Sequence, residues 1–489
     1  CLARALLSIK RSQEMKARFV LRGDLQEKEK VDGPGFNYYA RVVSMTAVRA
    51  ALATFNSTEE TMAFADVSTA FLQAHKYDDS QPAKYVKMKN PITKEWMFFR
   101  QTGPLYGENS APKHWETTIS EWIQAQGFVR GSNDPCIYYH AGRKLKVLLY
   151  VDDLQMIGKA ADIQWFYDNI SKRFEVKPME WLQPGVTIDY LGMEVSMDSS
   201  GNVFVSMQKY TKKLIDFFDD VTGHALSTPY QHQENPDLTE LSKSETRRFQ
   251  TGLGMVGWLV SCIRADICYT YSMLGQSMSA PTVSSMEHLF HLVRYLKDSQ
   301  NQAGIILKKH ANETLNWQAY TDSDQASDRS ERNKGKSRNG AIVTLSGFPV
   351  IYKSKTTSVA MAQPEMSVDG NACVSSTEAE IYAAANATFD IMHLSYVVSE
   401  MGCYFPKPFI LYMDNAAAEI FCNNTASYSR LKHIDQRQRW VTSLRDSNLM
   451  VPAHISTKVN VADLFTKALS GFQFSNLRST ILIKMCTIK

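Results

Sequence analysis

The chain has 489 residues, of which 44% are hydrophobic and 21% are charged, and its formal net charge is +4. This composition is that of a folded globular protein, and it excludes a disordered tail or a fibre. At roughly 150 residues per domain, the length predicts about three domains. No Cys-x-x-Cys pair and no apolar run of about eighteen residues occur, so neither a zinc ribbon nor a membrane span is predicted.

The first residue is Cys1, the sequence opens in mid-pattern, and no signal peptide is evident. We therefore expect a segment of a longer intracellular protein with reduced, mostly buried cysteines. Basic residues are frequent among the first thirty residues and again between Arg329 and Arg338. Such runs could follow a phosphate backbone, although a charge run taken alone is more often a solvated face.

The first half of the chain alternates short strand-like and helix-like stretches. Residues 16–22 alternate in polarity and predict a strand, and residues 41–55 have the apolar spacing of a helix. Residues 64–72 and 145–151 also predict strands, because they are apolar and lie between polar segments.

The second half begins with a polar, proline-containing linker at residues 224–242, followed by helical periodicity over 243–297. Beyond it, the sequence predicts strands at 315–321, 340–345 and 409–413, and helices at 376–399 and from Ala416. Alternating strands and helices predict a mixed α/β domain.

Tyr150-Val151-Asp152-Asp153 lies between two strand-like runs and predicts a hairpin with two acids at its tip. Neighbouring carboxylates repel each other unless a cation or water screens them. Aspartate is also a frequent turn residue, and for this tetrapeptide alone a simple turn is the better explanation.

Asp66 lies in an apolar, strand-like stretch, where an unpaired acid is costly to bury. It is either a strand-end acid that reaches solvent or a metal ligand. Two-metal phosphoryl transfer needs carboxylates that hold two ions about 3.5–4 Å apart. Asp66 with Asp152 could bridge such ions, and Asp153 adds charge beside them.

Four further acids lie at predicted strand ends or on predicted helices: Asp322, Glu380, Asp414 and Asp463. They could form a second two-metal site, with His454 moving a proton or helping product release. Each acid taken alone is better explained as a surface carboxylate, and His454 as a surface histidine.

The order and spacing of several short motifs resemble the reverse transcriptases of copia-type LTR retrotransposons, from about residue 16 to residue 469. The motifs are Lys16-Ala-Arg-Phe-Val, Asp66-Val-Ser-Thr-Ala-Phe-Leu, Leu105-Tyr-Gly, Ala111-Pro-Lys, Tyr150-Val-Asp-Asp, Tyr190-Leu-Gly-Met-Glu and Arg294-Tyr-Leu-Lys. Each is weak alone, and the signal lies in their joint order.

The resemblance implies an α+β fold: a right-hand polymerase with fingers, palm and thumb, followed by an α/β ribonuclease H-like domain. The implied boundaries are 1–230 for N-terminally truncated fingers and palm, 231–313 for a helical thumb or connection, 314–470 for the ribonuclease H-like domain and 471–489 for a tail.

Site residues follow from the same resemblance. Asp66, Asp152 and Asp153 match the metal-binding acids of the polymerase, and Asp322, Glu380, Asp414 and Asp463 match those of the nuclease, with Glu378 and Asp324 as nearby alternates. Phe71 matches the aromatic residue that blocks a ribose 2′-hydroxyl, although an ordinary core phenylalanine is the alternative.

The remaining matches concern substrate binding. Lys16 and Arg18 match a basic strand that reaches the incoming triphosphate. Gly107, Ala111 and Pro112 match the segment under the template and the nucleotide, and Tyr106 beside Gly107 is a further implied substrate-binding residue. Leu191-Gly192-Met193-Glu194 matches a hairpin that grips the primer end.

The chain departs from the family pattern in two places. Glu108-Asn109-Ser110 replaces the usual Leu-Lys-Gln, which puts an acid beside the expected template path. An insertion at residues 360–374 precedes Glu380, and a surface loop there is thermodynamically tolerable.

The resemblance therefore implies an RNA-directed DNA polymerase, a nucleotidyltransferase, that is also an endonuclease on RNA–DNA hybrids. Expected cofactors are two Mg²⁺ ions per active site, with Mn²⁺ as an alternative. Expected partners are an RNA template, a DNA or tRNA primer, RNA–DNA hybrid and deoxyribonucleoside triphosphates, with no membrane; a homodimer is compatible. The implied location is cytoplasmic, in a virus-like particle, with the nucleus as an alternative.

Two other functions are compatible with the sequence. One is an inactive retroelement relic that only binds RNA and DNA. The other is a polymerase without a working ribonuclease H, which the insertion before Glu380 motivates.

Overall fold

The computed structural model describes residues 2–9, 15–26, 32, 35–55, 58–77, 83–90, 92–299, 304–307, 316–325, 336–361, 372–373, 376–423 and 432–482. Of the insertion predicted at 360–374, residues 360, 361, 372 and 373 are described and the others lie outside the described residues. The chain divides into two compact units. The first is Cys1–Ser44, Glu59–Trp181 and Glu400–Gly402; the second is Met45–Thr58, Leu182–Ser399 and Cys403–Lys489. The four predicted domain boundaries stay a prediction.

The α-helices of the described residues include amphipathic helices, such as Gln208–Phe217, and a largely buried helix, Ser376–Glu400. They are α1 (Met45–Ala53), α2 (Ala111–Ala125), α3 (Ala160–Arg173), α4 (Gln208–Phe217), α5 (Lys243–Cys262), α6 (Cys268–Gly275), α7 (Val283–Ser299), α8 (Ser376–Glu400), α9 (Ala416–Asn423), α10 (Lys432–Asp446) and α11 (Gly471–Arg478). Helix α5 begins with a capping box, in which Ser242 and Glu245 satisfy each other's backbone amides.

Strands of the first unit form two ribbons and one larger sheet. They are β1 (Ala3–Ile9), β2 (Met15–Leu21), β3 (Thr61–Asp66), β4 (Lys84–Lys89), β5 (Trp96–Gln101), β6 (Val129–Arg130), β7 (Ile137–His140), β8 (Leu145–Tyr150), β9 (Asp153–Gly158) and β10 (Glu180–Trp181). β1 pairs with β2, β4 pairs with β5, and the larger sheet has the order β10-β3-β9-β8-β7-β6.

Strands of the second unit form two sheets. They are β11 (Thr187–Tyr190), β12 (Met193–Met197), β13 (Val203–Ser206), β14 (Gly304–Leu307), β15 (Trp317–Asp324), β16 (Lys336–Leu345), β17 (Phe348–Met361), β18 (Ala372–Cys373), β19 (Phe409–Met413) and β20 (Met450–His454). One sheet has the order β11-β12-β13-β14 and the other β18-β17-β16-β15-β19-β20.

Helices α2 and α3 complete the core of the first unit. Trp115 and Ile119 of α2 and Phe166 and Ile170 of α3 are buried in one cluster with residues of β3, β8 and β9. Strand β8 is buried over its first five residues, because helices need an apolar sheet face to cover. This packing fixes the strand ends that carry Asp66 and Asp153.

The larger sheet of the second unit mixes strand directions. β15, β16 and β17 are antiparallel neighbours, whereas β19 runs parallel to β15, and β20 parallel to β19. Helix α8 supplies the long crossover that parallel strands require. Its ends lie close to the predicted 376–399, and its residues from Glu378 to Ala385 are buried.

One predicted element is wrong in its extent. The strand expected over 64–72 ends at Asp66. Thr69 adopts a left-handed conformation with φ of 50°, and a 3₁₀ helix then runs over Ala70–Gln73. Strand-like residues cannot continue the sheet through a left-handed position, so Phe71 lies on a short helix.

Helices that are both long and apolar enough to span a bilayer are absent from the described part of the chain.

Candidate active sites

A tight hairpin carries the acid pair of the first unit. Tyr150 of β8 pairs with Asp153 of β9, and Val151 and Asp152 form the two-residue loop. Val151 has φ of 57°, which is uncommon for a β-branched residue. The indole Nε1 of Trp115 donates to the carbonyl of Val151 at 2.7 Å, so a core residue of α2 holds the loop.

Asp66 lies opposite this hairpin. β3 and β9 pair antiparallel, with Asp66 directly facing Asp153. The backbone amide of Val67 then donates to the carbonyl of Asp152 at 2.9 Å. The sheet register thus gathers Asp66, Asp152 and Asp153 at one end of the six-stranded sheet.

Lys177 supplies positive charge to this cluster. Its Nζ lies 2.8 Å from Oδ1 of Asp66, and its backbone amide donates to the Asp66 carbonyl at 2.9 Å. The pKa of Asp153 is raised to about 7 by burial and by the negative charges of Asp152 and Asp66, and Lys177 opposes the rise. A divalent cation would relieve the same repulsion, so these acids fit a metal site.

Tyr106 and Gly107 lie against the end of β2. The amide of Leu21 donates to the carbonyl of Tyr106 at 2.7 Å. Gly107 has φ of +82°, and a Cβ there would lie 2.2 Å from the carbonyl oxygen of Leu21, so only glycine fits. The Phe71 ring lies 5.2 Å from that of Tyr106.

Strand β2 includes the backbone of Lys16 and Arg18, whose side chains lie outside the described residues. The Leu21–Tyr106 hydrogen bond nevertheless joins the strand of Lys16 and Arg18 to the segment of Tyr106 and Gly107. Their proposed contact with a triphosphate stays a prediction.

Glu108 points inward, contrary to the expectation of an acid along the template path. It is 3% exposed. Its carboxylate accepts from Tyr77 Oη at 2.6 Å and Gln101 Nε2 at 2.5 Å, and it pairs with Lys84 Nζ at 3.1 Å. An acid with these donors is satisfied inside the protein, so its charge is not presented on the surface.

Leu191 and Gly192 form the two-residue turn between β11 and β12. Both have positive φ, 53° and 79°, as a type I′ hairpin turn requires. Trp258 of α5 donates from Nε1 to the Leu191 carbonyl at 3.2 Å. The structure thus confirms a hairpin at this position, and its contact with a primer stays a prediction.

Three acids of the second unit come together. Carboxylate oxygens of Asp322, Glu380 and Asp414 lie within 4.8 Å of one another, the one such group of three acids among the described residues. Asp322 lies near the end of β15, Glu380 on the first turns of α8, and Asp414 directly after β19. Parallel strands β15 and β19 end at the same edge, which explains the meeting of Asp322 and Asp414.

Glu380 is the least satisfied of these acids. It is 5% exposed, and its Oε1 accepts from the amide of Ser323 at 3.1 Å. Within the described residues, its Oε2 has no hydrogen-bond partner. Its pKa is raised well above the ordinary value by burial and by the charges of Asp322 and Asp414. A buried orphan oxygen between two carboxylates fits a hard divalent cation.

Asp463 lies on a 3₁₀ helix, Val461–Phe465, and is joined to the cluster through Lys467. Lys467 Nζ lies 3.0 Å from Asp463 Oδ1 and 3.4 Å from Asp322 Oδ2. The pKa of Asp463 is raised to about 7 by burial and by Asp322, and Lys467 opposes the rise. Thr466 Oγ1 also donates to Asp322.

A glycine in β16 allows the 3₁₀ helix to approach. Gly340 pairs with Asp322 across the sheet. A Cβ on Gly340 would lie 2.7 Å from Thr466 Cγ2 and 2.8 Å from the carbonyl oxygen of Ala462. Asn460 adds a direct tie, because its Nδ2 donates to the carbonyl of Thr321 at 2.9 Å.

His454 lies at the edge of this cluster. It ends β20 opposite Met413, is exposed, and its Nε2 lies 3.2 Å from the carbonyl oxygen of Asp414. It therefore borders the acids without bonding to any of their carboxylates in the described contacts.

Several residues that organise the two sites were missed in the sequence. They are Lys177, Trp115, Gly340, Asn460, Thr466 and Lys467. Lys467 had a detectable signal, because it follows Asp463 by four residues. Lys177 had none, since only the fold brings it to Asp66.

Comparison with known proteins defines the class. Residues 7–232 match the family described as reverse transcriptase (RNA-dependent DNA polymerase). This part of the chain is therefore similar to reverse transcriptases.

The chain as a whole is homologous to Pol polyproteins of copia-type transposons, which confirms the resemblance of the motifs. It is 29% identical over 477 residues to the Retrovirus-related Pol polyprotein from transposon RE1 of Arabidopsis thaliana. It is 26% identical over 475 residues to that from transposon TNT 1-94 of Nicotiana tabacum. The alignments cover 95% and 94% of this chain but only 30% and 33% of the relatives.

Solved structures give weaker likenesses. The Prototype Foamy Virus Protease-Reverse Transcriptase aligns with 96% of this chain and 51% of its own, at 11% identity and a TM-score of 0.26. An N-terminal RNase H domain from Mycobacterium tuberculosis aligns with 34% of this chain and 99% of its own, at 10% identity and a TM-score of 0.21. TM-scores this low support no argument about the fold, which is described from the strand and helix topology of this chain alone.

Proposed function

We propose that this chain is an RNA-directed DNA polymerase that also cuts the RNA strand of RNA–DNA hybrids, as part of a Pol polyprotein. The observation that carries the polymerase is the β3–β9 register, which sets Asp66 opposite Asp153 beside the Asp152 hairpin. The match to a reverse transcriptase family supports the same reaction.

In the polymerase, Asp66, Asp152 and Asp153 would hold two Mg²⁺ ions, with Mn²⁺ as an alternative. When bound, the ions supply charge that activates the primer 3′-hydroxyl and stabilises the leaving oxygen. Trp115 and the β3–β9 pairing keep the hairpin in place, so the carboxylates need little reorganisation.

Nucleotide binding is assigned to residues around Phe71. Its ring contacts Tyr106, and Gly107 brings that segment against β2. Lys16 and Arg18 on β2 would neutralise the triphosphate, and Phe71 would exclude a ribose 2′-hydroxyl. Leu191 and Gly192 would hold the primer end.

In the nuclease, Asp322, Glu380, Asp414 and Asp463 would hold the second pair of ions. The orphan Glu380 Oε2 and the 4.8 Å grouping support this assignment. His454, exposed beside Asp414, would move a proton or help release the product.

The proposed partners are an RNA template, a DNA or tRNA primer, deoxyribonucleoside triphosphates and the resulting hybrid. The proposed location is a cytoplasmic virus-like particle, with the nucleus as the alternative compartment, and a homodimer is compatible with this proposal. These proposals rest on the family alone.

Primer extension tests the polymerase. A DNA primer on an RNA template with Mg²⁺ should be extended by the unmodified chain and by the control Asp168→Asn, which alters an exposed acid of the same unit. Asp152→Asn should abolish extension, because it removes one of the two neighbouring carboxylates, Asp152 and Asp153, that would hold the metal ions. Equal extension by Asp152→Asn would refute the metal site, and hybrid binding without extension by any variant would favour an inactive relic.

Cleavage of a labelled RNA–DNA hybrid tests the nuclease. We expect cutting by the unmodified chain and by Glu234→Gln, which changes an exposed glutamate in the linker. Glu380→Gln should eliminate cutting. A hybrid left intact by the unmodified chain, while extension proceeds, would indicate a polymerase without ribonuclease H.

Phe71→Ala tests nucleotide selection. Removing the ring opens space for a 2′-hydroxyl, so incorporation of ribonucleotides relative to deoxyribonucleotides should rise roughly tenfold to a hundredfold. Phe71→Tyr retains a ring and is the control. Unchanged discrimination by Phe71→Ala would make Phe71 a core residue only.

A further inference from the structure

The β4–β5 ribbon of the first unit has one face on which aromatic and basic residues alternate. The strands pair antiparallel, and three successive same-face rungs join one aromatic ring with one cation. These rungs are Tyr85 with Arg100, Phe98 with Lys87, and Trp96 with Lys89. This outer face, defined by those six residues, contains no acid.

The rings of the outer face are accessible. Tyr85 is 58% exposed, Phe98 is 67% exposed and Trp96 is 44% exposed. Single exposed apolar residues are ordinary, but several on one short ribbon form a patch of the kind that marks an interaction surface.

The opposite face anchors the ribbon. Val86 is buried with Ala3 and Leu21, and Met88 packs against the same cluster. Lys84 on this inner face pairs with Asp32 at 2.6 Å and with Glu108. The inner face therefore packs the ribbon against the rest of the first unit. The aromatic rings of the outer face are exposed on a ribbon that is held in place, so they are not core residues of a hairpin that failed to pack.

The cations lie where they can exchange partners. Lys87 Nζ is 4.1 Å from the centroid of the Trp96 ring and 5.7 Å from that of Phe98, and Lys89 Nζ is 5.2 Å from Trp96. Cation–π contacts at exposed sites are weaker than the stacking of a base on an aromatic ring. The bases of a polynucleotide could therefore replace the lysines on the aromatic rings, and the lysines could then bind the phosphates of the polynucleotide.

Charge argues against a second copy of the chain as the occupant. In a two-fold dimer, this face would meet itself and set cations against cations. A nucleic acid, which is a polyanion with flat bases, complements the charge and the aromatic rings of the outer face. Phe98 and Trp96 lie two residues apart on one strand, about 6.8 Å between Cα atoms, which is the space of one base between two rings at the 3.4 Å stacking distance.

We propose that the outer face of the β4–β5 ribbon binds a single strand of RNA, through bases stacked on Tyr85, Phe98 and Trp96 and phosphates paired with Lys87, Lys89 and Arg100. That this strand is the unpaired template rests on the proposed polymerase function; the binding itself does not.

Fluorescence anisotropy with a labelled oligouridylate, in EDTA and without nucleotides, tests the proposal separately from catalysis. The double substitution Phe98→Ala and Trp96→Ala should weaken binding about tenfold and leave binding of an RNA duplex unchanged. Phe98→Tyr with Trp96→Phe keeps both rings and should retain affinity. Phe472→Ala, which removes an 80% exposed ring of the second unit, should have no effect.

Two further readouts locate the contact. Lys87→Gln with Lys89→Gln should lower the salt dependence of oligouridylate binding by roughly 1.4 in log–log slope, because about 0.7 is lost per phosphate contact. Photocrosslinking of iodouridine RNA should label Tyr85, Phe98 or Trp96.

An affinity within twofold of the unmodified chain for Phe98→Ala with Trp96→Ala would overturn the proposal. So would a dimer that this variant disrupts while its RNA affinity is kept. Failure of the proposed polymerase function would give a different result: the chain would not extend a primer, but its binding of oligouridylate would still depend on Phe98 and Trp96.

Discussion

The two acid clusters of the chain balance their charge in different surroundings. At the hairpin, the Asp66 side chain is 33% exposed and its partner Lys177 is 58% exposed. In the second unit, Asp322 and Asp463 are 4% and 0% exposed, and Lys467 is 34% exposed. Both clusters contain a lysine, but only in the second cluster are the acids that contact this lysine buried. Loss of the lysine should therefore affect stability much more in the second unit.

The largest effect is expected at Gly340. Gly340→Ala places a Cβ within 2.9 Å of three atoms of the segment that carries Asp463. Overpacking of this kind costs about 3 kcal/mol, so hybrid cutting should be lost and amide exchange over 460–467 should rise. Hydrogen–deuterium exchange measures this. Gly347→Ala, at a turn where nothing lies within 4 Å of a Cβ but φ is +84°, controls for glycine strain alone. Equal protection over 460–467 in Gly340→Ala and the unmodified chain would contradict the close approach.

A smaller effect is expected for Lys467→Ala. It leaves two buried carboxylates without their cation, and after allowance for the partial exposure of Lys467 the cost is about 2 kcal/mol. Thermal unfolding in EDTA should show the loss, and Mg²⁺ should restore most of it because the ion replaces the missing charge. Lys467→Arg keeps the charge and is the control. No destabilisation in EDTA would show that Lys467 does not compensate the acids.

The smallest effect is expected for Lys177→Ala. Exposed ion pairs contribute less than about 1 kcal/mol, so unfolding should hardly change, and Lys159→Ala serves as an exposed-lysine control. A destabilisation as large as that of Lys467→Ala would remove the difference between the two clusters.

The sequence predicted those parts of the sites that depend on local chain order. The Asp152–Asp153 hairpin is confirmed, because turn residues between two apolar runs determine it locally. The prediction for α8 was close because its sequence is long and rich in alanine, which favours helix. The strand over 64–72 was wrong because no local signal showed that Thr69 is left-handed.

Other features depend on contacts between distant segments. Glu108 was expected beside the template path, but Tyr77, Gln101 and Lys84 bury it. Lys177 reaches Asp66 only because the chain returns to β3 after α3. Such pairings follow from tertiary packing, which residue patterns along the chain do not reveal.

Calorimetric titration with Mg²⁺ tests the central claim, that the chain contains two separate carboxylate sites, most directly. We predict two classes of binding in the unmodified chain. Asp152→Asn should remove one class and Glu380→Gln the other, because the two acids lie in different compact units. Loss of all binding on either single substitution, or binding unchanged by both, would contradict the account.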